Sequence, residues 1–174
     1  MKFGKSRIYA NLLKWSVWVL LAIGLVSLQT APGLFAVFGV KPLLLFPLAI
    51  TFAFFEKERA AGGYAIFLGA LWDITAGKAL GFSSILLLSI CTAVSLLVLY
   101  LVKQNLINCI LLTAAGLFCY DLIYYLFYFL IWGKPGVWAP LVFHLIPSFA
   151  YTIAITPLFY FGVRFLTEKL AVED

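Results

Sequence analysis

The run FSSILLLSICTAVSLLVLYLV, residues 82–102, holds no charged residue. It is long enough to cross a bilayer as an α-helix, which takes about 20 apolar residues. Similar runs occupy most of the chain: 15–31, a second ending at Phe55, 60–77, 82–102, 106–132 and one ending near Leu166. Because 65% of the residues are hydrophobic and only 11% are charged, the sequence predicts an all-α integral membrane protein, a compact bundle of six transmembrane helices.

The second span is the shortest of the six. The run 42–55 is short for a crossing, and Pro47 is expected to interrupt it. Its start could also lie nearer Leu34, since Gly33 and Gly39 suit either an interfacial turn or a broken helix that other helices cover. The sequence therefore predicts a second helix that is short or broken.

The positive charges predict the orientation in the membrane. Six spans put both termini on one side, together with the loops 56–59 and 103–105. Nine of the 12 Lys and Arg residues fall on that side and three on the other, so we expect both termini in the cytoplasm. The chain is then one transmembrane domain, 1–174, with a basic cytoplasmic segment at 1–14 and a short cytoplasmic tail at 167–174. The net charge of +5 fits anionic lipid at that face, so it does not indicate nucleic-acid binding.

One carboxylate, Asp73, lies in the apolar stretch FLGALWDITAGKALGFSS, residues 67–84. A charge deep in a span is costly, which makes Asp73 a candidate functional residue. It belongs to a set of small residues repeated every four positions, called here the small ridge: Ala61, Ala65, Gly69, Asp73 and Gly77. Such a ridge permits close helix packing, inside the protein or against a partner. The favoured interpretation is that Asp73 accepts hydrogen bonds from backbone amides in the turn from Gly77 to Ser84, which Gly77 and Gly81 suit; the alternative is a partner or ligand contact.

The second intramembrane carboxylate is Asp121. Tyr124, Tyr125 and Tyr128 follow it by three, four and seven residues, so all four side chains share one helical face. We expect a buried polar network of structural importance. A proton relay and a substrate cavity lined by the same residues remain alternatives.

Nothing in the sequence has the spacing of a catalytic or metal site. His144 is the only histidine and has no Cys or Glu at a useful interval. The two aspartates Asp73 and Asp121 lie at depths that differ by about 10 Å, too far apart to act as an acid and a base. We therefore expect no enzyme activity, no metal and no cofactor.

Two motifs in the first half of the chain resemble a known family. KPLLL at 41–45 is followed, after a charged loop and Gly63, by FLGALWDITAGKALGFSSILLL at 67–88. This is similar to the core of the MreD family, rod shape-determining membrane proteins of bacteria. The places of the family pattern are filled by Gly69, Asp73, Gly77, Leu80, Gly81 and Ser83. The chain departs from the pattern at Leu43, where the family often has Asp, and the acidic position of the fifth span aligns only loosely with Asp121.

The resemblance implies a non-enzymatic scaffold of the cell-elongation machinery in the bacterial inner membrane. Such a protein maintains rod shape and supports side-wall peptidoglycan synthesis. The partners it implies are an MreC-like single-span protein and also MreB, RodA and a class B penicillin-binding transpeptidase.

A related fold suggests an alternative function. The MreD family has been grouped with the S components of energy-coupling-factor vitamin transporters, substrate-binding membrane proteins of similar size. S components dock through an AxxxA-type face on the first helix, whereas here Ala22 is followed four residues later by Val26. The scaffold is therefore the favoured interpretation.

Overall fold

Over the residues that the structure describes, the chain forms helices and no strands. The computed structural model describes residues 2–31, 42–77, 79–127 and 146–170, with only the backbone for residues 2–8 and residue 10. Six helices lie in these ranges: α1 (Lys2–Thr30), α2 (Leu45–Phe55), α3 (Glu58–Ala76), α4 (Phe82–Tyr100), α5 (Leu106–Tyr125) and α6 (Ile146–Lys169). The predicted all-α fold is confirmed.

Within the described ranges, four helices are long and apolar enough to cross a membrane: Asn11–Thr30 within α1, and α4, α5 and α6. The protein is thus an α-helical membrane protein. The second helix is short, as the sequence predicted: its 11 residues span about 16 Å, whereas the hydrocarbon core is about 30 Å thick. Helix α3 is long enough, with 19 residues, but it is not among these four helices. Glu58, Arg59 and Asp73 lower its mean hydropathy.

Pro47 does not interrupt α2, although the sequence suggested that it would. It lies in the first turn of the helix, where a backbone N–H has no acceptor within the helix, so a proline costs little there. The possible start near Leu34 and the predicted continuation of the fifth span from residue 128 to 132 lie outside the described residues.

The short helix α2 is the centre of the bundle. Every residue from Leu45 to Phe54 is buried, and α2 contacts α1, α3, α4, α5 and α6. A helix that is apolar on all sides is stable only when other helices surround it. The five longer helices therefore bury the apolar surface of α2 on all sides.

Polar side chains from other segments satisfy both ends of α2. The backbone amide of Leu45 donates to Gln29 Oε1 of α1 (3.3 Å), and Gln104 Nε2, from the loop before α5, donates to the carbonyl of Phe54 (3.1 Å). The first amides and last carbonyls of a helix have no partner within it, and burying them unpaired would be costly. These two glutamines allow α2 to begin and end inside the protein.

The middle of α1, around Lys14, meets the end of α2 at one end of the bundle. Lys14 Nζ lies 2.6 Å from Glu56 Oε1, and one turn further along α1 the carbonyl of Trp18 accepts a hydrogen bond from the Tyr64 hydroxyl (2.9 Å). We call this the basic end and define it by Lys14, Glu56 and Gln104. The sequence assigns these segments to the cytoplasmic side, and that orientation stays a prediction.

Candidate functional site

Helices α3 and α4 form the most extensive helix pair in the described chain, and Gly69 sets their closest approach. A Cβ atom on Gly69 would lie 2.4 Å from Ser84 Cα and 2.5 Å from Ser84 N. Both atoms belong to backbone, so no side-chain rotation relieves the overlap. Only glycine fits at this crossing, which is the role of small residues in membrane helix pairs.

The small ridge lies inside the bundle for most of its length. Ala61 and Ala65 are each 1% exposed and Asp73 is 0% exposed, and Gly69 is also buried. Only Gly77, after the end of α3, is exposed. These residues act as internal packing positions here, and a partner could reach the ridge only at the turn.

Asp73 holds the beginning of α4. Its Oδ2 accepts a hydrogen bond from the amide of Gly81 (2.9 Å), and both of its oxygens lie 3.2 Å from the amide of Ser83. Gly81 precedes α4 and has no side chain with which to cap it. The carboxylate of α3 therefore takes the place of an N-cap, satisfying free amides and placing negative charge at the positive end of the helix dipole. This is the hydrogen-bonded arrangement that the sequence favoured.

The connection from α3 to α4 depends on two glycines in the left-handed conformation. Gly77 has φ of 62° and Gly81 has φ of 96°, values that other residues adopt only with strain. Between them, Leu80 is 76% exposed. We call residues 77–81 the glycine turn; residue 78 lies outside the described residues.

A buried hydroxyl pair links α4 to α5. Ser83 Oγ and Tyr120 Oη are 3.0 Å apart, and the two residues are 0% and 1% exposed. The Tyr120 ring also lies 5.5 Å from the ring of Trp72 on α3 and 5.6 Å from that of Phe46 on α2, measured between centroids. One tyrosine thus contacts three neighbouring helices beside the Asp73 cap.

The predicted network around Asp121 is only partly described. Asp121, Tyr124 and Tyr125 are partly buried, and Tyr128 lies outside the described residues. The Tyr124 ring stacks on that of Tyr120, with centroids 6.3 Å apart and planes at 6°. A network centred on Asp121 stays a prediction.

The interpretation of the sequence missed Tyr120, the most buried tyrosine of α5. Its signal was present: Gly116, Tyr120 and Tyr124 recur every four residues, and a Cβ on Gly116 would lie 2.8 Å from Ile90 Cγ2. A small residue one turn before an aromatic residue marks the packed face of the helix. The acid at position 121 drew attention to the adjacent, less buried face.

The Tyr120→Phe substitution should lower the free energy of unfolding by about 1 to 2 kcal/mol, since it leaves the buried Ser83 hydroxyl without its partner. Unfolding of the purified protein in detergent measures the change. Tyr100→Phe is the matched control because Tyr100 is 75% exposed. In a double-mutant cycle, adding Ser83→Ala should recover part of the loss; fully additive effects would show that the two hydroxyls do not interact.

The described residues contain no group of three His, Cys, Asp or Glu side chains that could hold a metal ion. Cys91 and Cys109 are buried and Cys119 is exposed, all with free thiols. His144 lies outside the described residues.

The hydrogen bonds of Asp73 give this part of the molecule a structural role. They fix the beginning of α4 relative to α3.

Comparison with known proteins identifies one family. The chain matches the family described as rod shape-determining protein MreD over residues 9–170, nearly all of its 174 residues. No curated protein and no solved structure matches it. The match includes the Asp73 cap, the glycine turn and all the helices from α2 to α6. The chain belongs to the MreD family of rod shape-determining membrane proteins.

Proposed function

We propose that this protein is a non-enzymatic scaffold of the cell-elongation machinery in the bacterial inner membrane. By binding an MreC-like single-span partner, it supports side-wall peptidoglycan synthesis and maintains rod shape. The observation that carries the proposal is the family match over residues 9–170. The proposal includes a multi-pass topology with both termini in the cytoplasm and one transmembrane domain that needs no cofactor.

The glycine turn is the proposed contact for the partner's periplasmic part. The small ridge is taken up by packing within the bundle, whereas Leu80 extends from the turn with 76% of its surface exposed. An exposed apolar side chain on a turn whose backbone is held at both sides is a suitable anchor for another protein. At the opposite, basic end we place anionic lipid and contacts with MreB; RodA and the transpeptidase complete the assembly.

Leu80→Ser should reduce co-purification of the single-span partner several-fold and produce rounded cells, while the melting temperature in detergent stays unchanged. Leu101→Ser is the matched control, because Leu101 is 79% exposed at the other end of α4. The measurements are partner recovery from detergent extracts and cell shape after replacement of the chromosomal copy.

Two results would contradict this proposal. If Leu80→Ser retained both the partner and the rod shape, the glycine turn would not be the contact. If the extract yielded a pair of ATPases instead of a single-span protein, the transporter alternative would replace the scaffold.

A further inference from the structure

A cleft of about 490 Å³ opens at the basic end of the bundle. It lies between the end of α2, the start of α3 and the end of α4. Its apolar wall includes Phe54, Val98 and Leu99. Its polar edge includes Glu56, Lys57, Glu58, Ser95 and Gln104. Lys14 Nζ lies 2.6 Å from Glu56 Oε1, so Glu56 is paired within the protein. Lys57 and Glu58 are the other charges of this edge. Because Leu99 is 66% exposed, the cleft continues onto the apolar outer surface of α4.

The polar edge carries opposite charges side by side. Lys57 directly precedes α3 and Glu58 is its first residue, and both are exposed. The positive end of the α3 dipole reinforces Lys57 as a site for an anion. Glu58 supplies the negative charge of the same edge. The cleft therefore complements a short group that bears a negative and a positive charge next to an apolar chain.

We propose that this cleft binds a phospholipid with an aminoethyl phosphate headgroup. Lys57 and the start of α3 contact the phosphate, Glu58 contacts the ammonium group, and one acyl chain lies along Leu99. A purely anionic headgroup would leave Glu58 opposed by like charge. The inference does not depend on the partner proposed above.

The size of the cleft favours a headgroup over a partner helix. One turn of helix, about 10 to 12 Å across and 5.4 Å long, occupies roughly 400 to 600 Å³. A cleft of about 490 Å³ thus has the volume of about a single turn, so a docking helix of about three turns would extend well beyond it. A lipid headgroup and the first part of its chain fit that space.

The test uses the purified full-length protein in detergent and native mass spectrometry with phosphatidylethanolamine, phosphatidylglycerol and phosphatidylcholine of identical acyl chains. We expect several-fold more bound phosphatidylethanolamine than either other lipid, and no binding of soluble phosphoethanolamine, which lacks the chains. The Lys57→Gln, Glu58→Gln double variant should lose that preference. The control, Glu168→Gln with Lys169→Gln, removes the same charges at exposed residues of α6 and should keep it.

A third variant tests the place of binding. Leu99→Trp fills the mouth of the cleft from an exposed position, so it should fold normally and bind several-fold less phosphatidylethanolamine. Equal binding of the three lipids, a preference for phosphatidylglycerol, or an unchanged preference in the double variant would overturn the proposal. Unchanged binding by Leu99→Trp would place the lipid elsewhere and overturn it as well.

Discussion

Gly69→Ala should destabilise the protein by about 3 kcal/mol, because one added methyl group cannot be accommodated. Its Cβ would lie 2.4 Å from Ser84 Cα, well inside van der Waals contact. To relieve the overlap, α3 and α4 must move apart, which weakens the contact along the small ridge. The expected result is a lower melting temperature in detergent and a lower yield of protein from the membrane.

Gly63→Ala is the control for this substitution. Gly63 lies on the same helix, and nothing is within 4 Å of the place where its Cβ would lie. The same methyl group there should leave stability unchanged or raise it slightly, since alanine favours a helix by up to about 1 kcal/mol over glycine. Equal melting temperatures for the two variants would show that the helices do not approach closely at Gly69.

The second large effect is expected for Asp73→Ala, with a loss of about 3 kcal/mol in the free energy of unfolding. The substitution leaves the amides of Gly81 and Ser83 without the acceptor that they now share. A buried amide such as that of Ser83 costs about 1 to 3 kcal/mol when unpaired, and the partly buried amide of Gly81 adds to the loss. Asp73→Asn keeps one acceptor oxygen and should lose about half as much. Chemical unfolding in detergent measures both variants.

Hydrogen exchange gives a local check on the same cap. In Asp73→Ala, the amides of Gly81 and Ser83 should exchange at least about tenfold faster, the change that 1.4 kcal/mol corresponds to, while those at the end of α4 keep their rates. Glu168→Ala is the comparison, because Glu168 is a carboxylate paired with Arg164 on an exposed face. If the amides of Gly81 and Ser83 exchanged in Asp73→Ala at the same rate as in the wild-type protein, they would have another acceptor.

The sequence predicted the features that depend on local patterns. Apolar runs predicted six helices, and their observed boundaries lie close to the predicted ones where the structure describes them, apart from the longer α1. The four-residue spacing from Ala61 to Gly77 predicted a packed ridge, and the glycines beside Asp73 predicted a turn whose amides it could bind. All of these signals lie within a few turns of one another along the chain.

Features that depend on distant residues could not be predicted in the same way. Gln29 and Gln104 looked like polar residues near helix ends, and only the fold shows that they serve the ends of α2. Tyr120 pairs with Ser83 across 37 positions. Hydrogen bonds between helices depend on rotation and depth, which hydrophobic periodicity does not specify.

The function came from resemblance, because composition alone established only a membrane protein. The motifs at 41–45 and 67–88 indicated the MreD family, and the match over residues 9–170 confirms it. The transporter alternative was based on a related fold, and the AxxxA-type docking face of S components was missing from the first helix. The structure buries Ala22 and Val26 of that helix inside the bundle, so this face is not at the surface where a coupling subunit could dock.

The central position of α2 has a consequence for how the protein is made. The carbonyl of Phe54 is satisfied by a residue 50 positions later, and the amide of Leu43 by Thr152, 109 positions later. When α2 leaves the ribosome, neither of these partners has been synthesised, and lipid cannot replace them. These two hydrogen bonds can therefore form only after Gln104 and Thr152 have been synthesised, so assembly of the bundle around α2 is completed late, once α6 is present.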